Sequence, residues 1–188
     1  MTSKVSICNN ALIRLGADTI TSLTEDTKEG RHCNLVYDVQ RKELLRSHPW
    51  NFAIKREALQ LLTSTPAFEY SYEYQLPTDC LRVLKLYGAS QDYVIEGSVL
   101  RTNETSPKLI YISDEEDTQL FDTSFSELLA LAIAAKICYS ITGSTSLLAG
   151  LMAEMRRLKA EAKQYDGQEG RYYNFGDGEW LDNFFDGV

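Results

Sequence analysis

Four cysteines, two histidines and 27 acids are the side chains in this sequence that could do chemistry, and their spacing narrows what that chemistry could be. Cys8, Cys33, Cys80 and Cys138 stand 25, 47 and 58 residues apart. No pair has the C-x-x-C spacing of a zinc or redox site, so each reads as a small buried hydrophobe on the apolar face of its element. His32 adjoins Cys33, but neighbours on a helix point in different directions and make a poor catalytic pair. His48 precedes Pro49 and Trp50 and reads as part of a turn. Asp114–Asp117 could offer oxygens to a hard cation, yet it lacks the alternating ligands of a calcium loop and reads as a solvated acidic loop. Gly143-Ser144-Thr145-Ser146 has the composition of a phosphate cradle but fits a turn between helices better. HExxH, Walker, GxGxxG and GxSxG signatures are absent from the sequence. Two carboxylates far apart in sequence could still meet for sugar hydrolysis, a possibility that 27 acids leave without specificity. Asn103-Glu104-Thr105 is a glycosylation sequon, relevant only to a secreted chain. The expectation is no catalytic residue, no cofactor and no metal.

The elements that would have to position any site come next. With 188 residues the chain is long enough for one domain, or a domain with an insertion, and for a core that needs no staples. Its 44% hydrophobic and 24% charged residues are those of a folded globular protein. A formal charge of −8 argues against tight nucleic-acid binding, which needs clustered Lys and Arg. Met1–Asn10 has no basic region followed by an apolar stretch, so no signal peptide is expected. The longest unbroken apolar run, Leu128–Ala135, is eight residues, short of the ~20 that a membrane helix needs. The reading is of a chain made in the cytosol, with no membrane partner.

Ser3 can cap a first helix, with Val5, Cys8, Leu12 and Leu15 at helical spacing and Gly16 at its end. A second helix should follow the capping residues and acids of Thr24–Glu29 and run to about Arg46. It carries Cys33, Val36, Tyr37, Gln40 and Leu44 on one side, with Arg41, Lys42 and Arg46 complementing its negative end. The period then changes to two. Trp50, Phe52 and Ile54 alternate with Asn51, Ala53 and Lys55, and Tyr70, Tyr72, Tyr74 and Leu76 with Ser71, Glu73 and Gln75, which predicts an antiparallel sheet over about residues 50–112. Gly97-Ser98 looks like a hairpin turn. Helical signals return at Asp122 or Thr123. Gly143 breaks the third helix and Ser144 can cap a fourth, whose stripe is Leu147, Leu148, Leu151, Met152, Met155, Leu158 and Ala162. This order predicts an α+β fold: a four-helix bundle (1–48 and 118–165), an inserted antiparallel β-sheet region (49–117) and an extended C-terminal arm (166–188).

Two features exceed what a self-contained domain needs. The third helix is apolar almost all round and so must be covered on every side. Partner helices could do this, or one face could meet a neighbouring subunit, with Leu128, Leu131, Ala135, Leu151 and Met155 as the expected subunit interface. The arm holds six acids against the single Arg171, and six of the chain's aromatics (Tyr172, Tyr173, Phe175, Trp180, Phe184 and Phe185) within its 23 residues. Gly167, Gly170, Gly176 and Gly178 argue against continued helix there. Aromatic anchors on such a segment suit docking in a partner's pockets, with Leu181 among the anchors. Folding back over its own domain is the competing reading.

Three strings carry a resemblance. They are Asn10-Ala11-Leu12-Ile13-Arg14-Leu15-Gly16 with Ile20-Thr21-Ser22-Leu23; Arg41–Leu45 followed by His48-Pro49-Trp50-Asn51-Phe52-Ala53; and Tyr74-Gln75-Leu76-Pro77-Thr78-Asp79-Cys80-Leu81-Arg82-Val83. In this order, over about residues 1–165, the chain resembles the tail tubular protein A family, head–tail adaptors of short-tailed, T7-like bacteriophages. The resemblance implies a non-enzymatic virion protein at the head–tail junction. It implies a homo-oligomeric ring of twelve copies, with the portal protein and the tail nozzle protein as partners and DNA passing through the channel unbound. It further implies an arm that clasps the portal. The alternatives are a tail-associated peptidoglycan hydrolase and an assembly or packaging factor.

Overall fold

A computed structural model describes residues 2–87 and 92–169, with side chains described as far as residue 162. Among these residues the chain is mixed α and β. It has four helices, α1 (Lys4–Leu15), α2 (Lys28–Ser47), α3 (Thr123–Thr142) and α4 (Thr145–Glu169). Seven strands, β1 (Ile54–Ala58), β2 (Gln60–Leu61), β3 (Tyr72–Gln75), β4 (Cys80–Tyr87), β5 (Tyr93–Glu96), β6 (Val99–Thr102) and β7 (Lys108–Ser113), form two antiparallel sheets. The described residues fall into two compact units, 2–44 with 115–169, and 45–87 with 92–114.

In the first unit the local chemistry sets the helix ends. Ser3 and Ser6 form a reciprocal capping box, each hydroxyl accepting from the other's backbone N–H at 3.0 and 2.8 Å. Gly16 ends α1 at φ 67°, a conformation that a side chain with a Cβ adopts only at a cost. Asp122 caps α3 by accepting from the Ser124 N–H at 3.2 Å, and Gly143 closes it at φ 67°. Ser144 then accepts the Leu147 N–H at 3.1 Å and starts α4.

The centre of this unit is α3. Ten of its residues, from Phe125 to Cys138, are buried, with α1 and α4 both packed on it. By length and composition α3 would pass for a membrane span, but its apolar surface is spent on its neighbours. The fourth helix continues through Gly167 to Glu169, past the point at which glycine was expected to stop it. One interior glycine costs only about 1 kcal/mol, too little to end a helix of 25 residues.

In the second unit the regular alternation from Trp50 onward proves deceptive. Asn51–Ala53 is a 3₁₀ turn, Trp50 is fully buried with His48 edge-on at 4.8 Å, and strand begins only at Ile54. Ser113 fastens that turn by donating its hydroxyl to the Ala53 carbonyl at 2.9 Å. Instead of one sheet there are two, ordered β1-β7-β4 and β2-β3-β6-β5. They close over a core of Tyr74, Leu76, Leu86, Leu100, Leu109 and Tyr111, because the aromatic and branched residues of each strand share one face of the pleat. Gly97-Ser98 joins β5 to β6 as a two-residue turn between the paired Glu96 and Val99, opened by Gly97 at φ 61°.

Gly30 shows how tightly the start of α2 is built. The Thr27 hydroxyl accepts its N–H at 3.1 Å, and a Cβ at this position would lie 2.6 Å from the Glu25 carbonyl oxygen. In an open helix Gly→Ala stabilises. Here Gly30→Ala should destabilise by about 1–3 kcal/mol through overpacking against backbone, measured as a lower midpoint in denaturant unfolding.

Candidate interaction surfaces

Each candidate for chemistry named from the sequence takes a structural post. Cys8 on α1 and Cys33 on α2 are fully buried; their mutual contact lowers the Cys33 thiol and, together with burial, pushes the Cys8 thiol up. A protonated, enclosed thiol is not a nucleophile. Cys80 is half-buried, and burial with the nearby Asp79 carboxylate raises its thiol to about 11. His32 Nδ1 bonds the Lys28 carbonyl at 2.7 Å within its own helix. The Gly143–Ser146 segment is the turn between α3 and α4. Among the described residues no cluster of His, Cys, Asp and Glu is arranged to hold a metal ion.

The acidic run Asp114–Asp117 is a loop with Glu116 and Asp117 exposed, and it also holds contacts to the helices. Arg41, fully buried despite its place on α2, donates to the Glu115 carbonyl at 2.6 Å. It also lies 3.4 Å from the Asp38 carboxylate and 3.8 Å from that of Glu116. Lys4 on α1 approaches the same two carboxylates at 3.9 and 3.7 Å and lies over the Tyr37 ring. The acids therefore fasten α1 and α2 to the segment that follows β7. Arg41 does not complement the negative end of its helix, as its position suggested. A buried guanidinium needs its charge and donors met, and Asp38, three residues away on the same helix, and Glu115, 74 residues away in sequence, both supply them.

A second clasp joins the other helices. Arg14 on α1 donates to Glu127 on α3 at 2.7 Å and to Glu154 on α4 at 2.9 Å, and Asn10 donates to the other oxygen of Glu127 at 2.7 Å. Three helices are registered by one guanidinium. Both clasps are polar contacts between elements far apart in sequence, and helical periodicity does not reveal them.

Of the residues expected at a subunit interface, Leu128, Leu131 and Ala135 on α3 and Leu151 on α4 are buried within the chain itself, and Met155 is half-buried. Tyr172, Tyr173, Phe175, Trp180, Leu181, Phe184 and Phe185 lie outside the described residues. Among the apolar side chains left in water in the first unit are Ile13, Leu120, Tyr139, Met152 and, on α2, Leu35 and Val39 at 75% and 59% exposure. Leu35 and Val39 are one turn apart, and at 100° per residue they fall roughly 200–240° around the helix from Cys33. That phase was legible in the sequence. They are a second apolar stripe, opposite the one that packs.

On the sheet β2-β3-β6-β5 the face away from the core carries a charge relay. Ser64 donates to Glu73 at 2.6 Å, Arg101 donates to Glu73 at 2.9 Å, and Arg101 also pairs with Glu96. Beside it Phe68 stands 80% exposed next to Glu69, whose φ of 73° puts a non-glycine residue in the left-handed region. A depression of about 160 Å³ lies among Phe68, Tyr70, Val94 and Arg101. On the opposite, core-facing side of β1 and β7, burial would raise Asp79, but hydrogen bonds from Lys55 at 2.9 Å and Tyr111 at 3.0 Å outweigh it and lower its pKa.

The Ser64 and Arg101 hydrogen bonds hold the Glu73 carboxyl below its ordinary 4.5. Its stabilising contribution is therefore complete above that value and is lost as pH falls through the lower folded-state pKa. Glu73→Gln should remove that part of the acid limb, seen as a shallower fall in melting temperature below pH 4.5 than in the parent chain. An unchanged acid limb would show that the relay carries no linkage. In the comparisons with known proteins no family model matches the chain, and no curated protein matches it significantly.

Proposed function

We propose that this chain is a structural head-to-tail adaptor of a short-tailed phage virion and makes or breaks no bond of a substrate. In this reading the four helices form a bundle that serves as the body of a ring, twelve copies in the family the sequence resembles. The ring lies between portal and tail nozzle, and DNA passes through its channel without being gripped. The C-terminal residues from Tyr172 to Phe185 clasp the portal.

The observation that carries the reading is the pair Leu35 and Val39, held in water on the outer side of a helix whose inner side is buried. Single exposed apolar residues are ordinary, but an aligned pair beside polar surface suits a partner. The family-like strings support the same conclusion by where they fall. The first includes the left-handed Gly16, the second holds the buried Trp50 in its turn, and the third runs from the end of β3 into β4. At Gly16 backbone geometry restricts the residue, and at Trp50 burial does.

Leu35 and Val39 are mostly exposed, so replacing both by Asp should lower unfolding stability by no more than about 1 kcal/mol, the scale of helix propensity and exposed-surface changes. Co-sedimentation with portal, or ring formation seen by mass photometry, should be lost. Equal assembly by the double variant would overturn the assignment of α2 to the interface. Trp180→Ala should weaken portal binding by about 2 kcal/mol or more, the usual cost of removing an aromatic anchor, read by titration of portal with the chain.

A further inference from the structure

The three-stranded sheet has a face without acids. Register places Arg56, Ile110 and Lys85 side by side across β1, β7 and β4, with Ala58, Lys108 and Tyr87 in the next row and Ile54, Ile112 and Arg82 in the row before. Because side chains alternate along a strand, these residues share one face, on which Ile110 and Ile112 are themselves buried at 4% and 0% exposure and Arg56, Lys85, Lys108 and Tyr87 form the exposed part, and Leu109, Tyr111 and Leu86 point to the core on the other. Arg56, Lys85 and Lys108 are exposed, and Tyr87 is 56% exposed with the Lys85 ammonium 5.2 Å from its ring centre. Arg82 donates to the Arg46 carbonyl at 3.0 Å, and burial with the like charge of Arg46 depresses its pKa. Among the described residues none of these five cations is ion-paired, whereas Lys4, Arg14, Arg31, Arg41, Lys55, Arg101 and Arg157 all are. A chain of net charge −8 has thus placed Arg56, Lys85, Lys108 and Arg82 on one sheet face with Tyr87, with Arg46 of α2 as a fifth cation beside Arg82.

We propose that this face is the docking site for residues 170–188 of the same chain. That segment carries Asp177, Glu179, Asp182 and Asp186 against Arg171 alone, with Trp180, Phe184 and Phe185 interleaved. Carboxylates would meet the guanidinium and ammonium groups, and the rings would meet Tyr87 and the cations beside it. Nineteen residues reach up to about 60 Å when extended. Tethering supplies an effective concentration on the order of millimolar, so modest contacts suffice. The opposite overall charge of the chain favours this occupant over a nucleic-acid backbone, which five cations on an acidic protein would hold weakly. The proposal stands apart from the adaptor reading. If that reading also holds, a portal must compete the segment away from this face.

The test uses the full-length protein. Chymotrypsin cleaves after the aromatics of the segment, and at low salt cleavage there should be slow. Arg56→Glu with Lys108→Glu, both exposed positions, should speed it roughly tenfold by abolishing the docked state while leaving the melting temperature unchanged. Reversing Asp177 and Asp182 to Lys in that background should restore protection. Protection should not change with protein concentration. Equal cleavage of parent and charge-reversed chains overturns the proposal. So does protection that grows with concentration, which would assign the segment to a second copy. A short DNA duplex that binds the full-length protein through Arg56 and Lys108 without displacing the segment also overturns it. None of these readouts involves portal, so failure here leaves the adaptor reading to its own experiment.

Discussion

A helix that is apolar around its whole circumference is stable in water only when other surfaces close over it, and α3 is such a helix. Most of the first unit follows from that constraint. The helices α1 and α4 pack on it and turn their own apolar stripes inward, toward Leu128, Leu131 and Ile133. Apolar burial is non-directional, so it cannot by itself set the rotation or height of one helix against the next. Arg14 supplies that direction with two carboxylates from two different helices. Grease closes the unit, and hydrogen bonds fix its register.

Arg41 plays the corresponding part for α2. Burying a guanidinium is costly unless its donors are met, and the placement of α2 brings the Glu115 carbonyl and the Asp38 and Glu116 carboxylates to it together. A misplaced α2 would strand the charge. The penalty for misassembly thus contributes more to uniqueness than the ion pairs contribute to stability, since both acids remain largely in water. Once α1, α2 and α4 have spent their inner faces, Leu35 and Val39 are left outside, and the surface offered to a partner is a residue of how the interior was completed.

Helix existence and helix ends were legible in the sequence, because capping and left-handed termination are settled within one turn of chain. Ser3, Gly16, Asp122, Gly143 and Ser144 each do what their types suggest. The β region was legible in kind but not in arrangement. Period-two alternation from Trp50 suggested a strand where a 3₁₀ turn buries the indole, and one sheet where there are two. Alternation reports that two faces differ; it does not say which strand lies alongside. Gly167 was read as a stop, and the helix passes through it, because a single propensity is outweighed by a long run of ordinary helix formers.

Local rules acting over a few residues determined the elements, their caps and their apolar stripes, and the sequence by itself therefore decided that α3 must be surrounded. What surrounds it, where Arg41 finds its acids, and which cations share a face were decided only by tertiary structure. Arg56, Lys85 and Lys108 are separated by 29 and 23 residues and look like scattered surface charges along the chain. They become one cationic surface because hydrogen-bond register aligns β1, β7 and β4, and register is a property of pairs of strands that no single strand contains.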